Sequence, residues 1–200
     1  MTLIHHHPII LASGSAIRQQ MLRGCGLEFS VEPSGVDEET LAATLTGKPV
    51  PEQALALGRA KALAVSQNHP TAYIVGADQM CGFQATVYGK PGTYERAEAQ
   101  LLELAGQTHQ QHCGAAIAHN GVIVWEMTAS ASLTMHPLTR AEVRAYIQAD
   151  APLASCGAYK FEELGRHLFS AVEGDHDVIK GLPLVPLLAA LRRLRVVALA

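Results

Sequence analysis

Short apolar runs and alternating segments divide the chain into strands and helices that take turns along most of its length. Pro8 to Ala12 reads as a strand that passes through Ser13-Gly14-Ser15 into a helical stretch, Ala16 to Arg23, capped by Ser15 and stopped by Gly24 and Gly26. Leu27 to Val31 is a second strand, followed by a loop from Pro33 to Glu39, and Pro51 opens an alanine- and leucine-rich helix that runs to Gln67. Ala72 to Val75 is a β-branched run of the kind covered on both faces, and it stops at Gly76, Ala77 and Asp78. A short hairpin over Gly82 to Tyr88 and an amphipathic helix from Thr93 to Leu104 come next. Two long strands, His109 to Ala118 and Val122 to Met135, meet at His119-Asn120-Gly121, a hairpin signal. Thr139-Arg140-Ala141-Glu142 matches a capping box and opens a helix to Gln148. Ala158 to Glu162 and His167 to Val172 are strand-like, Gly174 to Asp177 is a polar loop, and Leu184 to Leu194 is a closing apolar helix. With no internal repeat or linker, residues 1–200 are expected to form a single domain.

Chemistry gathers where strands stop, because ligands of open α/β sheets collect beyond the carboxyl ends of the strands. Asp78 stands at such a stop. The Ser13-Gly14-Ser15 turn offers backbone N–H groups to an anion, and Arg18 adds planar donors suited to phosphate; the same residues also fit an ordinary capped turn. Lys90, held between Gly89 and Pro91, is a cation in a loop of restricted shape. Asp37, Glu38 and Glu39 supply oxygens that either face water or hold a divalent metal. His109 and His112, three apart on a strand, fall on opposite faces and read as structural or surface residues.

Composition narrows the classes. A hydrophobic fraction of 48% with 16% charged residues describes a globular chain, and a net charge of -3 argues against a general nucleic-acid-binding surface. Any phosphate site must therefore be local. No apolar run approaches the roughly 20 residues of a membrane span. The four cysteines lack CxxC spacing and read as reduced thiols of a cytoplasmic protein, and His5-His6-His7 is assigned no function.

Seven fragments in order resemble the Maf family of nucleoside-triphosphate pyrophosphatases over nearly the whole chain. They are Leu11-Ala12-Ser13-Gly14-Ser15 with Arg18, Val36-Asp37-Glu38, Lys61-Ala62, Val75 to Gln79, Gly89-Lys90-Pro91, Cys156 to Tyr159, and Gly174-Asp175 with Gly181 to Leu184. The resemblance implies an α/β fold like that of inosine-triphosphate pyrophosphatases, with an elongated mixed sheet flanked by helices and two lobes around a nucleotide cleft. It implies a cytoplasmic homodimer that acts on a small nucleotide and forms no stable nucleic-acid or membrane complex. The implied reaction is hydrolysis between the α and β phosphates, aided by Mg2+ or Mn2+. On this pattern Ser13, Ser15, Arg18, Lys61 and Lys90 would hold the phosphates, Asp78 would be the general base or a metal ligand, and Asp37 and Glu38 would be further metal ligands.

The opening motif departs from the family's usual Ser-Pro-Arg-Arg, since Ala16, Ile17 and Arg18 follow Ser15. In the branch resembling dTTP and UTP pyrophosphatases an arginine stands where this chain has Ile17. Ile17, Gln79 and Glu162 together resemble the 7-methyl-GTP branch instead. There a carboxylate suits the donor edge of guanine, and the Gln79 amide can donate to a base or sugar acceptor. Pyrimidine triphosphates of the same family, or a non-catalytic nucleotide-binding role in cell division, are the competing expectations.

Overall fold

In the computed structural model, which describes residues 2–200, helices and strands alternate as a mixed α/β fold with helices packed on a sheet. The strands are β1 (Leu3–His5), β2 (Ile9–Leu11), β3 (Ser30–Val31), β4 (Tyr73–Phe83), β5 (Thr86–Tyr88), β6 (Thr108–His119), β7 (Val122–Met135), β8 (Phe169–Glu173) and β9 (Val197–Leu199). The helices are α1 (Ala16–Gly24), α2 (Glu38–Thr44), α3 (Val50–Ser66), α4 (Tyr94–Leu104), α5 (Arg140–Asp150), α6 (His176–Ile179) and α7 (Leu184–Arg193), with a 3-10 turn over Leu164–Leu168. The main sheet has the order β3-β2-β4-β6-β7-β8, with β5 paired to β4. It is mixed: β2 runs parallel to β3 and β4, whereas β5 is antiparallel to β4 and β8 to β7.

The chain forms two compact units. The first comprises Met1–Asp78, Cys113–Ala129 and Gly181–Ala200. Its core joins Ile9, Leu11 and Val75 of the parallel strands to Leu22 of α1 and to Leu187 and Leu191 of α7. On the other face Ile10 and Ile74 pack against Ala62 and Val65 of α3. Glycines let α3 lie unusually close to the strands. A Cβ on Gly76 would fall 2.3 Å from the Gly58 carbonyl oxygen, and one on Gly114 would fall 2.2 Å from the Leu55 nitrogen. The second unit comprises Gln79–His112 and Ser130–Lys180. In it Leu101 and Leu104 of α4 and Val143 and Ile147 of α5 are buried, and both the Thr139 hydroxyl and the Glu142 carboxylate bonds of the capping box are present.

Four local expectations change. The central strand does not stop at Val75: β4 continues through Asp78 to Phe83, where it turns back into β5, so Asp78 lies inside a strand. Pairing along β4 prevails over the turn preference of a single aspartate. The loop from Pro33 to Glu39 gives way to α2, whose N-cap is Asp37 and whose first turn holds Glu38 and Glu39, where carboxylates favour a helix start. Residues 158–162 form turns instead of a strand. Ala158, Tyr159 and Phe161 are all buried there, without the strict alternation of a strand with one exposed face. Asp175, expected in a polar loop, caps the short helix α6 by accepting from the Asp177 N–H.

Candidate active site

Within the first unit, α1 begins where β2 ends, and its first turn buries an arginine. The Ser15 hydroxyl oxygen caps the helix by accepting from the Arg18 N–H at 3.5 Å. Arg18 is only 8% exposed, yet its guanidinium is fixed on two sides. Its Nε donates to the Gly181 carbonyl at 2.8 Å and its Nη1 to the Ser13 hydroxyl at 3.1 Å. The Ser13 oxygen also accepts from the Ser15 N–H at 3.3 Å. Both serines are therefore used as acceptors and keep a hydroxyl hydrogen to offer an anion. Ile17 is half-buried against the core that contains Leu11 and Leu22.

Lys61 provides the second buried cation. The close approach of α3 carries it down to β4, where Nζ, on a residue 5% exposed, lies 2.6 Å from Asp78 Oδ1 and 2.9 Å from Glu38 Oε1. Asp78 is itself buried, while the Glu38 side chain is about half exposed. A buried lysine between two carboxylates leaves the cluster one negative charge in excess. Burial of the neighbouring Cys113 pushes its thiol up to about 12, with Arg18 drawing it down and Asp78 pushing it up.

Asp37 does different work from Glu38. Its Oδ1 accepts from the Thr40 N–H at 3.0 Å and its Oδ2 from the Thr40 hydroxyl at 2.6 Å. The hydroxyl bond is the main reason its carboxyl sits below the usual range. Among the described residues no group of three or more His, Cys, Asp and Glu side chains is arranged to hold a metal ion. Glu38 and Asp78 nevertheless bring two hard oxygen donors to one nitrogen. Such a pair suits a small divalent cation whose remaining ligands are water and phosphate.

The second unit holds Gln79, Lys90 and Glu162. The Gln79 side-chain nitrogen is already engaged: it donates to the Ile179 carbonyl and, at 3.4 Å, to that of Val178. The expectation that this amide donates to a base is corrected accordingly, since neighbouring carbonyls compete for the same hydrogens. Its Oε1 is the atom it can offer a ligand. Lys90 and Glu162 are both exposed. Cys156 to Tyr159, one of the matched fragments, forms a turn tied to β4 by a Cys156 thiol that donates to the Gln79 carbonyl at 3.4 Å. The sequence reading did not find the Gly181 carbonyl that orients Arg18, or the Tyr159 hydroxyl that sits between His109 and Gln111 at 2.9 and 2.7 Å. His109 and His112 are both buried and hydrogen-bonded, to Tyr159 and Ser130, which is the structural use expected of them.

Residues 8–194 match the family described as Maf-like protein. The chain belongs to the Maf family. It is 41% identical to a Legionella pneumophila (strain Paris) protein named nucleoside triphosphate pyrophosphatase, over 98% of each chain. It is 43% identical to a Bradyrhizobium diazoefficiens protein of the same name, over 96% of each. Among solved structures, the Staphylococcus aureus Ham1 protein is matched over 65% of this chain and 72% of its own, at 13% identity and a TM-score of 0.43. No helix among the described residues is long and apolar enough to cross a membrane.

Proposed function

We propose that this Maf-family hydrolase of acid anhydrides is a nucleoside triphosphate pyrophosphatase with 7-methyl-GTP as its preferred substrate. The pyrophosphatase activity follows from family membership and from relatives of that name that match nearly the full chain. The observation that carries the chemistry is the Lys61 ammonium, 2.6 Å from Asp78 and 2.9 Å from Glu38 in a largely buried position. A cluster that is net negative with one buried cation attracts a divalent ion together with a polyphosphate better than a polyphosphate alone.

Asp78 is placed as the general base. It accepts a proton from the attacking water as the water oxygen bonds to the α phosphorus, and the bond from that phosphorus to the bridging oxygen breaks, sending the electron pair out with pyrophosphate. Lys61 orients the Asp78 carboxylate and faces charge developing on the phosphates. Arg18, already fixed through Nε and one Nη, presents its remaining N–H groups to a phosphate without further ordering cost. Ser13 and Ser15 add hydroxyl donors, and Lys90 adds an exposed cation. Glu38 and Asp78 would hold the Mg2+ or Mn2+, with Asp37 fixing the helix start that carries Glu38. That ion would supply charge neutralisation and polarise the phosphate oxygens.

Base choice is assigned to Ile17, Gln79 and Glu162. The Glu162 carboxylate and the Gln79 Oε1 are acceptors that suit the N1–H and N2–H edge of guanine, and a carboxylate also favours the positive ring made by N7 methylation. Pyrophosphate release is to be measured on 7-methyl-GTP, GTP, UTP and dTTP, with and without Mg2+ or Mn2+. 7-methyl-GTP should give the highest kcat/KM, and Glu162→Gln should shrink its lead by about tenfold. A lead for UTP or dTTP, or one unmoved by Glu162→Gln, rules out this specificity and leaves the pyrophosphatase activity standing.

A further inference from the structure

The Gln79 side chain is held by the Ile179 and Val178 carbonyls, and its backbone carbonyl is met by a turn anchored on neutral, buried groups. Tyr159 is 4% exposed, and its hydroxyl lies 2.7 Å from Gln111 Nε2 and 2.9 Å from His109 Nε2. Gln111 can only donate through that nitrogen, so the Tyr159 oxygen accepts from it, and the Tyr159 hydroxyl and His109 Nε2 share one further hydrogen. The Tyr159 hydroxyl thereby has two partners, while His109 Nδ1 and Gln111 Oε1 are buried without one among the described residues. Burial lowers the His109 pKa to about 4, which keeps the ring neutral. The Tyr159 ring is further held edge-on by Phe169, at 4.8 Å between centroids.

From this anchor the turn reaches back to β4 at two points. The Cys156 carbonyl accepts from Gln111 Nε2 at 3.3 Å, while the Cys156 thiol donates to the Gln79 carbonyl at 3.4 Å. Gly157 rests against Cys81, since a Cβ built on it would fall 3.0 Å from the Cys81 sulfur and 3.0 Å from the Tyr159 ring. Gln79 and Cys81, two apart on a strand, face the same side. Gly157 and Ala158 adopt φ of 80° and 62°, left-handed values that a non-glycine residue such as Ala158 keeps only when its surroundings fix it. One buried hydroxyl therefore ties the turn, and through it the backbone of Gln79, to β6.

We propose that Tyr159 is a positioning residue for substrate selection: clamped by His109 and Gln111, it fixes the Cys156–Tyr159 turn, which holds Gln79 in register to read the nucleobase. The inference rests on the reading of Gln79 as a base-selecting residue. Tyr159→Phe keeps the ring and removes only the hydroxyl, so the kcat/KM ratio between the best and worst nucleotides of the panel should fall by about tenfold. Cys156→Ala removes the thiol that donates to the Gln79 carbonyl and keeps the Tyr159 hydroxyl and its two partners. It should lower the ratio in the same sense, and it carries the test if Tyr159→Phe does not fold.

A cycle with Gln79→Ala separates positioning from general loosening. If Tyr159 acts through Gln79, the double variant Gln79→Ala/Tyr159→Phe has the selectivity of Gln79→Ala alone. Val143→Ala, which opens the buried core at α5 without removing a group of the Tyr159 cluster, should lower the melting temperature and leave the ratio within about twofold. The proposal is overturned by a ratio that Tyr159→Phe and Cys156→Ala leave unmoved, by losses that multiply with Gln79→Ala, or by an equal loss in Val143→Ala. If Gln79→Ala itself leaves selectivity intact, the base-selecting reading of Gln79 has failed and takes this proposal with it. If Gln79→Ala lowers selectivity and Tyr159→Phe does not, only the positioning proposal fails.

Discussion

The Lys61 cluster and the Tyr159 cluster bury polar groups by opposite means. Around Lys61 the groups are charged, and one ammonium serves two carboxylates. Around Tyr159 they are a phenol, an amide and an imidazole joined by two hydrogen bonds at the phenol oxygen. Charged clusters respond to any ion that enters, because a new cation or phosphate changes the balance that holds each side chain. A neutral chain of hydrogen bonds has no such response and stays rigid as long as each member keeps its hydrogen. The first arrangement suits chemistry on a polyanion, and the second suits keeping a reader of shape in place.

The largest separation between the two should come from removing one charge. Asp78→Asn keeps the volume and the bond to Lys61 but loses the base, so turnover should fall by at least about a hundredfold. Triphosphate binding should survive, as calorimetry with a slowly hydrolysed analogue would show. Near-normal turnover by a well-folded Asp78→Asn protein would remove Asp78 from the role of base.

Acid should find the other cluster. His109 titrates near 6.5 when exposed and at about 4 when folded, because burial disfavours the imidazolium. Its folded pKa lies below the unfolded one, so its support for the fold is complete above about pH 6.5 and is lost as the pH falls from 6.5 towards 4. Full loss amounts to about 3 kcal/mol. His112, lowered by the same cause, adds to the loss in the same direction. Urea midpoints of wild type and His109→Gln between pH 7 and 4 check this, since carboxylates common to both proteins cancel. Equal pH slopes would show that His109 is not protected from protonation.

Backbone approach is the next lever. Gly76→Ala would drive a methyl group to 2.3 Å from the Gly58 carbonyl, forcing α3 away from β4 and Lys61 away from Asp78. Overpacking of this kind costs about 1–3 kcal/mol, and here turnover should fall with stability. Gly89→Ala meets no atom within 4 Å and serves as the neutral control. A Gly76→Ala protein with unchanged melting temperature and turnover would show that the close approach does not set the Lys61–Asp78 pair.

Much of this was legible before the structure. Asn120 and Gly121 do take positive φ of 48° and 74° between β6 and β7, as their turn chemistry demands, and Thr139 with Glu142 forms the expected capping box. These signals are local, so sequence carries them. The pairing of β1 with β9 joins opposite ends of the chain, and nothing near Leu3 announces it. Helix α2 has no buried residue and hence no apolar period to read; its acidic first turn looked like a solvated loop. Of the site, residue type and motif single out Arg18, Lys61 and Asp78, and the structure places Lys61 against Asp78. What holds them, the Gly181 carbonyl and the glycines beneath α3, depends on contacts across the fold that composition does not show.

The smallest effect concerns the cation outside both clusters. Lys90 is exposed in the Gly89-Lys90-Pro91 segment of the second unit, so water and salt screen it as they do not screen Lys61. If it meets a phosphate, the contact adds to triphosphate affinity without being essential to the reaction. Lys90→Gln should therefore weaken triphosphates by about tenfold or less at low salt, following the scale of a partly solvated charge contact. The difference from wild type should shrink as ionic strength rises, and nucleosides should bind both proteins alike because they carry no phosphate. Calorimetry on the Asp78→Asn background, with a triphosphate and its nucleoside at two salt concentrations, measures all of this without turnover. Equal loss for nucleoside and triphosphate, or a loss that salt does not reduce, would assign Lys90 to the shape of its loop instead of to the phosphates.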